Sequence, residues 1–388
     1  MLSYLLDELP QRLGHPVALD LISGTSVGAI HACYLAATAH QAEGRGRKLA
    51  RLWEHMGLSE LFGASALGLL QMPVRMLGLL RPSGPARGKH LPDRLRGLLD
   101  TAALEDLVRK AIPWRSLGEN VAAGCLDAVC VAATEVSTGR AVVFVESQHP
   151  KQLRWTRDPS VVAQSVRLST EHALASAAIP GLFPAVRLGE AYYSDGGLRL
   201  NTPLSPALRL GADRVLVIAL GHGGAAEDPD PLRAGRLAYS ASPIFLLGKA
   251  LNALLLDHVD RDLRQMRLLN DILRRAQEVG GLDLLDRINE TVERERGQPF
   301  KIVEDLVIRP SADLGVMASE AARDLHGHSA TSRGIRLVLR TLGFVGNPFE
   351  ADLLSYLFFD RHYTAPLLKL GLEDARSQEE ALMRFFSE

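Results

Sequence analysis

The chain has 388 residues, a formal net charge of −1, 47% hydrophobic residues and 23% charged residues, which is enough apolar content to bury a sizeable core. So balanced a charge excludes the broad basic footprint of a nucleic-acid binder. The three cysteines, Cys33, Cys125 and Cys130, lie in apolar segments and are too few for a disulfide framework, which fits a reducing compartment.

Leu2, Leu5, Leu6 and Leu9 recur at helical spacing until Gly14, so the chain opens in an amphipathic helix. Asp7 and Glu8 interrupt its apolar pattern, which argues against a signal peptide. VALDLIS (17–23) has the length of a buried strand, GTSVGA makes a tight turn, and IHACYLAATAHQA continues as a helix. Residues 43–120 read as mostly helical, with breaks at Pro73 and at 82–90. CLDAVCVAATE (125–135) and AVVFVE (141–146) flank the turn at 137–140 and predict a β-hairpin. VRLSTEHALASAA (166–178) reads as a helix of small residues ended by Pro180. AYYS (191–194) is strand-like and runs into Asp195-Gly196-Gly197, and RVLVIAL (214–220) is a further buried strand.

Past Ala226 the character changes: 228–235 resembles a linker, 242–276 reads as long helices, 301–310 as a strand, and the tail from about Glu350 as helical. The expected organisation is an α/β core over residues 1–225 and a mostly helical part over 226–388, packing on the core and adding a strand to it. No run of 18 apolar residues predicts a spanning helix.

Gly24-Thr25-Ser26-Val27-Gly28 fits the GxSxG nucleophile elbow. A serine hydroxyl attacks only when it is held exposed beside a base. A sharp strand-to-helix turn exposes it, and glycines on either side let neighbouring chain pass close. The helix that follows aims its amides and positive dipole end at a developing oxyanion. Asp195, ahead of Gly196 and Gly197, stands at the end of a strand where a turn is the ordinary reading. No CxxC pair or HExxH string occurs, so a zinc site has little support, and no cofactor is expected.

The order of the elbow, the 125–146 hairpin and the stretch ALASAAIPGLFPAV…YYSDGGLRLNTPL (173–204) resembles patatin-like phospholipases. The resemblance covers about residues 1–225. It implies a three-layer α/β/α core with a mostly parallel sheet, a Ser26–Asp195 dyad without histidine, and hydrolysis of a lipid or acyl ester through an acyl-enzyme. With neither a spanning segment nor a signal peptide read in the sequence, the expected location is the cytoplasm or the inner membrane face, with peripheral membrane contact. The resemblance also implies a glycine-rich loop and a first core strand ahead of residue 1, whose amides would supply most of the oxyanion hole; without them activity would be impaired.

Two other readings stand beside this one. His222, after the 214–220 strand, would give the Ser-Asp-His order of an α/β-hydrolase esterase, and His31 sits on the helix after the elbow. Alternatively, the chain is a non-catalytic lipid-binding relative. The apolar stretch 64–80 could line an acyl site or an interface, or belong to the core.

Overall fold

The computed structural model describes residues 1–55, 93–94, 101–149, 161–200, 203–222, 258–296, 298–323, 355 and 360–387. The stretch 64–80, the breaks at Pro73 and 82–90, the linker at 228–235 and the helical start at 242 lie outside them, as do Asn201 and Thr202.

The opening leucines wind into a π-helical turn (Tyr4–Glu8) and then α1 (Leu9–Leu13), which Gly14 ends at φ 79. A left-handed residue closes a helix at low cost only when it lacks a Cβ, so the stop legible at Gly14 is a steric one. Tyr4, Leu5, Leu6 and Leu9 are buried. Two C-terminal helices, Arg361–Ser377 and Glu379–Ser387, clamp the segment: Arg376 grips Glu8 at 2.9–3.1 Å and the Tyr4 hydroxyl donates to Glu379 at 2.9 Å.

β1 (Leu21–Thr25) starts later than the apolar run at 17–23 suggests and runs into the elbow motif. Its partner sets those limits. β2 (Ala128–Glu135) lies parallel to it with Leu21 opposite Ala128 and Thr25 opposite Ala132, and the first bond across, Asp127 N–H to Asp20 O, is 2.7 Å. Residues 17–20 have no stretch of β2 to pair with. The expected hairpin is present, with β3 (Ala141–Ser147) antiparallel to β2. β4 (Val161–Ser165), not foreseen from sequence, lies parallel to β3.

The helix expected over 166–178 is shorter and spans only Thr170–Ser176. Val166 N–H still bonds Val145 O at 3.0 Å and Leu168 N–H bonds the Glu146 carboxylate at 2.7 Å, which keeps the backbone extended up to Ser169. The elbow helix, Val27–Ala37, follows Ser26 directly, and Thr170–Ser176 is the small-residue helix.

β5 (Val186–Leu188) and β6 (Ala191–Asp195) form a second hairpin through a two-residue turn at Gly189-Glu190, with Gly189 at φ 61. A glycine at the first turn position matches the twist of the flanking strands. The six-stranded sheet runs β4-β3-β2-β6-β5, with β1 also on β2. β2 is buried on both faces: Val129 and Val131 enter the main core with the elbow helix, while Ala128 and Cys130 meet Val143 and Val145 on the other side. Each such valine withdrawn from water is worth roughly 1.5–3 kcal/mol, so helices pack on both faces of an α/β sheet.

β7 (Arg214–Ile218) and β8 (Glu304–Ile308) pair in parallel as a separate two-stranded sheet. The C-terminal strand therefore joins β7 and not the six-stranded sheet. Between β1 and β7 lies a cavity of about 1460 Å³, walled by both strands, by Leu5 and Leu6, and by the elbow helix at Ile30. Among the described residues, β1 is paired only with β2, and β7 only with β8.

Candidate active site

β2 acts as a ruler for the site. β1 runs parallel along it and ends with Thr25 opposite Ala132; β6 runs antiparallel along the same edge and ends with Asp195 opposite Ala133. The two strands approach head-on and stop at neighbouring registers, about 3.8 Å apart along β2. β6 stops at Asp195, and Ser26 is the residue directly after the end of β1.

At Ser26 the chain turns from strand to helix with φ 55 and ψ −130, which makes it the one non-glycine residue with positive φ among those described. Such a conformation costs about 1–3 kcal/mol and persists only where the surroundings enforce it. The Ser26 side chain does not cap the elbow helix, so its hydroxyl is left for other use. Gly24 is required by contact: a Cβ there would stand 2.1 Å from Gly28 O. At Gly28 a Cβ would meet nothing within 4 Å among the described residues, which therefore give this second glycine no steric reason. Thr25 has a role that the motif does not announce, because its hydroxyl donates to Leu200 O at 2.7 Å and ties β1 to the loop after Asp195.

Asp195 has no exposed surface. Its N–H donates to Ala178 O at 2.8 Å, its carbonyl accepts from the Thr134 hydroxyl at 2.9 Å, and its Oδ1 accepts from Gly197 N–H at 2.7 Å. Gly196 lets this turn press on β2, since a Cβ there would stand 2.2 Å from Ala132 O. The other carboxylate oxygen, Oδ2, is buried without a hydrogen bond of regular geometry, yet the Ser26 hydroxyl lies close enough to favour the charged carboxylate. Burial is the larger influence and raises the group from 3.8 to about 6; the Ser26 hydroxyl and the Gly197 amide pull the other way.

The Ser26 N–H donates to the Ser176 hydroxyl at 3.0 Å, and that hydroxyl donates to Ala132 O at 2.5 Å. The small-residue segment thus touches both Ser26 and Asp195 through its backbone or hydroxyl, a role that its composition alone does not distinguish from helix packing. Val27 and Gly28 begin the elbow helix, where first-turn amides lack partners within the helix and the dipole favours negative charge.

Neither candidate histidine joins this pair. His222 Nδ1 contacts Pro310 O at 3.1 Å beyond the C-terminal end of β7, and His31 packs edge-on against Trp53 at 5.3 Å, with burial holding its pKa down to about 4. Cys33 and Cys130 are buried and Cys125 is exposed, all as free thiols. Among the described residues no group of three or more His, Cys, Asp or Glu could hold a metal ion, and no helix is long and apolar enough to cross a membrane.

A serine at a strained strand-to-helix turn, beside a buried carboxylate at the same edge of one strand of a helix-flanked sheet, defines an α/β protein with hydrolase-like architecture. The family model for patatin-like phospholipases matches residues 2–208, and the chain belongs to that family. A cGAMP-activated phospholipase of Pseudomonas aeruginosa (strain BWHPSA011 / Pa011) is 32% identical over 200 residues, 51% of this chain. The match spans 48% of that relative, so the chain covers about half of the relative's length.

Proposed function

We propose that this chain hydrolyses carboxylic ester bonds of lipids, with Ser26 as nucleophile and Asp195 as base. The observation that carries the reading is the register on β2, which brings the strained Ser26 against a carboxylate with no exposed surface. A carboxylate with an ordinary pKa near 4 is a weak base toward a hydroxyl; one raised to about 6 is better matched. Asp195 takes the Ser26 proton as Oγ bonds to the acyl carbon. The oxyanion so formed faces the first amides of the elbow helix, including that of Val27. Collapse expels the alcohol, which receives the proton from Asp195 and leaves an acyl-serine. Asp195 then deprotonates a water that attacks the acyl carbon; collapse breaks the bond to Oγ and releases the fatty acid, and Asp195 returns its proton to Ser26 Oγ. The partners of His222 and His31 support a carboxylate base over an imidazole.

The reading extends to the glycine-rich loop that the resemblance implies. The cavity between β1 and β7 suits one more strand, because among the described residues each of these strands is paired on one edge only, and a further strand can satisfy backbone N–H and C=O groups that an acyl chain cannot. Among the described residues nothing stands within 4 Å of a Cβ at Gly28, which leaves room for a loop leaving such a strand to bring further amides beside Ser26. Losing one oxyanion donor costs about 2.7–4 kcal/mol in the transition state, so the loop would matter to the rate.

The test compares wild type with Ser26→Ala, Asp195→Asn and His222→Ala on a short-chain aryl ester, on phospholipid vesicles, and for covalent labelling by a fluorophosphonate. Wild type should be labelled at Ser26. Ser26→Ala should abolish hydrolysis and labelling, Asp195→Asn should slow both by about 10²–10⁴-fold, and His222→Ala should change neither. Loss of activity in the histidine variant alone, or an unlabelled wild type, would overturn the proposal.

A further inference from the structure

Ser176 ends the small-residue helix and has no exposed surface. Its hydroxyl proton has one destination, because a carbonyl can only accept: it goes to Ala132 O at 2.5 Å. The hydroxyl oxygen must then accept from the Ser26 N–H at 3.0 Å, across 150 residues of sequence. Ala132 is the β2 residue opposite Thr25 and adjacent to the one opposite Asp195. Two residues after Ser176, Ala178 O accepts the Asp195 N–H at 2.8 Å. One three-residue segment therefore holds the backbone amides of both Ser26 and Asp195 and is itself anchored to the strand that aligns them.

We propose that Ser176 is a positioning residue for the ester hydrolysis assigned above, a role that rests on the reading of Ser26 and Asp195 as nucleophile and base. Its hydroxyl fixes the peptide plane before Ser26, which holds the residue at φ 55 with the side chain directed to Asp195. It also occupies the Ser26 amide, so that this donor does not serve the oxyanion and the task passes to the amides that follow it. A peptide that could rock would move Oγ off the carboxylate, and a misplacement of about 1 Å can cost on the order of 100-fold in rate.

The test uses the full chain with Ser176→Ala and Ser176→Cys, assayed for kcat and KM on a short-chain aryl ester, for the pH profile and for thermal unfolding. Ser176→Ala removes both bonds, and Ser176→Cys keeps a weaker donor and acceptor in the same place. The expected result is a kcat lower by about 10–100-fold in Ser176→Ala and by less in Ser176→Cys, with KM within about twofold and the acidic limb unmoved. A folded Ser176→Ala with wild-type kcat overturns the proposal. If Ser176→Ala does not fold, a folded Ser176→Cys with wild-type kcat overturns it equally. A merely structural hydroxyl would lower the unfolding temperature and leave kcat per folded molecule unchanged, which also refutes it. Failure of the underlying reading looks different: Ser26→Ala or Asp195→Asn would then keep its activity whatever Ser176 does.

Discussion

Replacing Asp195 with asparagine should stabilise the fold by an amount that depends on pH. The folded carboxyl titrates at about 6 because burial opposes its charge, against 3.8 for the free group. Between those values the unfolded chain has already released a proton that the folded chain keeps. Stability therefore falls as pH rises through this window and levels off above the folded value. A gap of about two pH units, at ~1.36 kcal/mol each, corresponds to roughly 3 kcal/mol. Asparagine carries no charge and retains an oxygen for the Gly197 amide, so it escapes this penalty. The stability of Asp195→Asn relative to wild type should be near zero at about pH 4 and open to roughly 3 kcal/mol by about pH 7. Urea unfolding of both proteins between about pH 4.5 and 8 measures it, and the difference between the two cancels the titration of other carboxylates. A difference that stays constant with pH, or a variant less stable than wild type at pH 8, would refute the argument that burial sets this pKa. The same group should place the acidic limb of hydrolysis near 6, so the position that weakens the fold is the one that makes the base.

Two further outcomes follow from the same geometry. Gly24→Ala should destabilise the chain by about 1–3 kcal/mol or more through its clash with Gly28 O, whereas Gly28→Ala, with open space for its Cβ at a helix start, should be neutral or stabilising by up to about 1 kcal/mol; thermal unfolding of the pair decides, and equal losses would contradict the contacts described. In hydrogen exchange, the segments carrying β1 and β7 should exchange faster than β2 and β3, because each has a ladder on one edge only among the described residues; equal protection would mean that the cavity edges are already paired.

Local sequence was enough for the parts whose physics is local. Gly14 ends a helix because φ 79 there excludes a Cβ, and the 125–146 hairpin follows from alternation around a turn. The elbow was legible as a strand, a tight turn and a helix, because Gly24 and the turn residues are fixed by contacts within a few positions of one another. The Asp-Gly-Gly turn gave no such signal by itself; only its resemblance to a family's motif singled it out. The β5–β6 hairpin was missed although its signal, a glycine-led two-residue turn between apolar segments, was present.

What depended on a distant partner could not be read from the chain. The start of β1 is set by where β2 begins, and the late start of the small-residue helix by bonds from Val166 and Leu168 to β3. β4 is a half-buried strand whose pairing with β3 creates it, and its own residues announce it weakly. The site belongs to this second class. Thr25 and Asp195 stand side by side because two strands share one edge of β2 at successive registers, and Ser176 reaches the Ser26 amide across 150 residues. Sequence supplied the hydroxyl and the carboxylate. Their proximity, the burial that lifts one pKa and the strain at the other residue come from strand register and packing, which are properties of the assembled sheet.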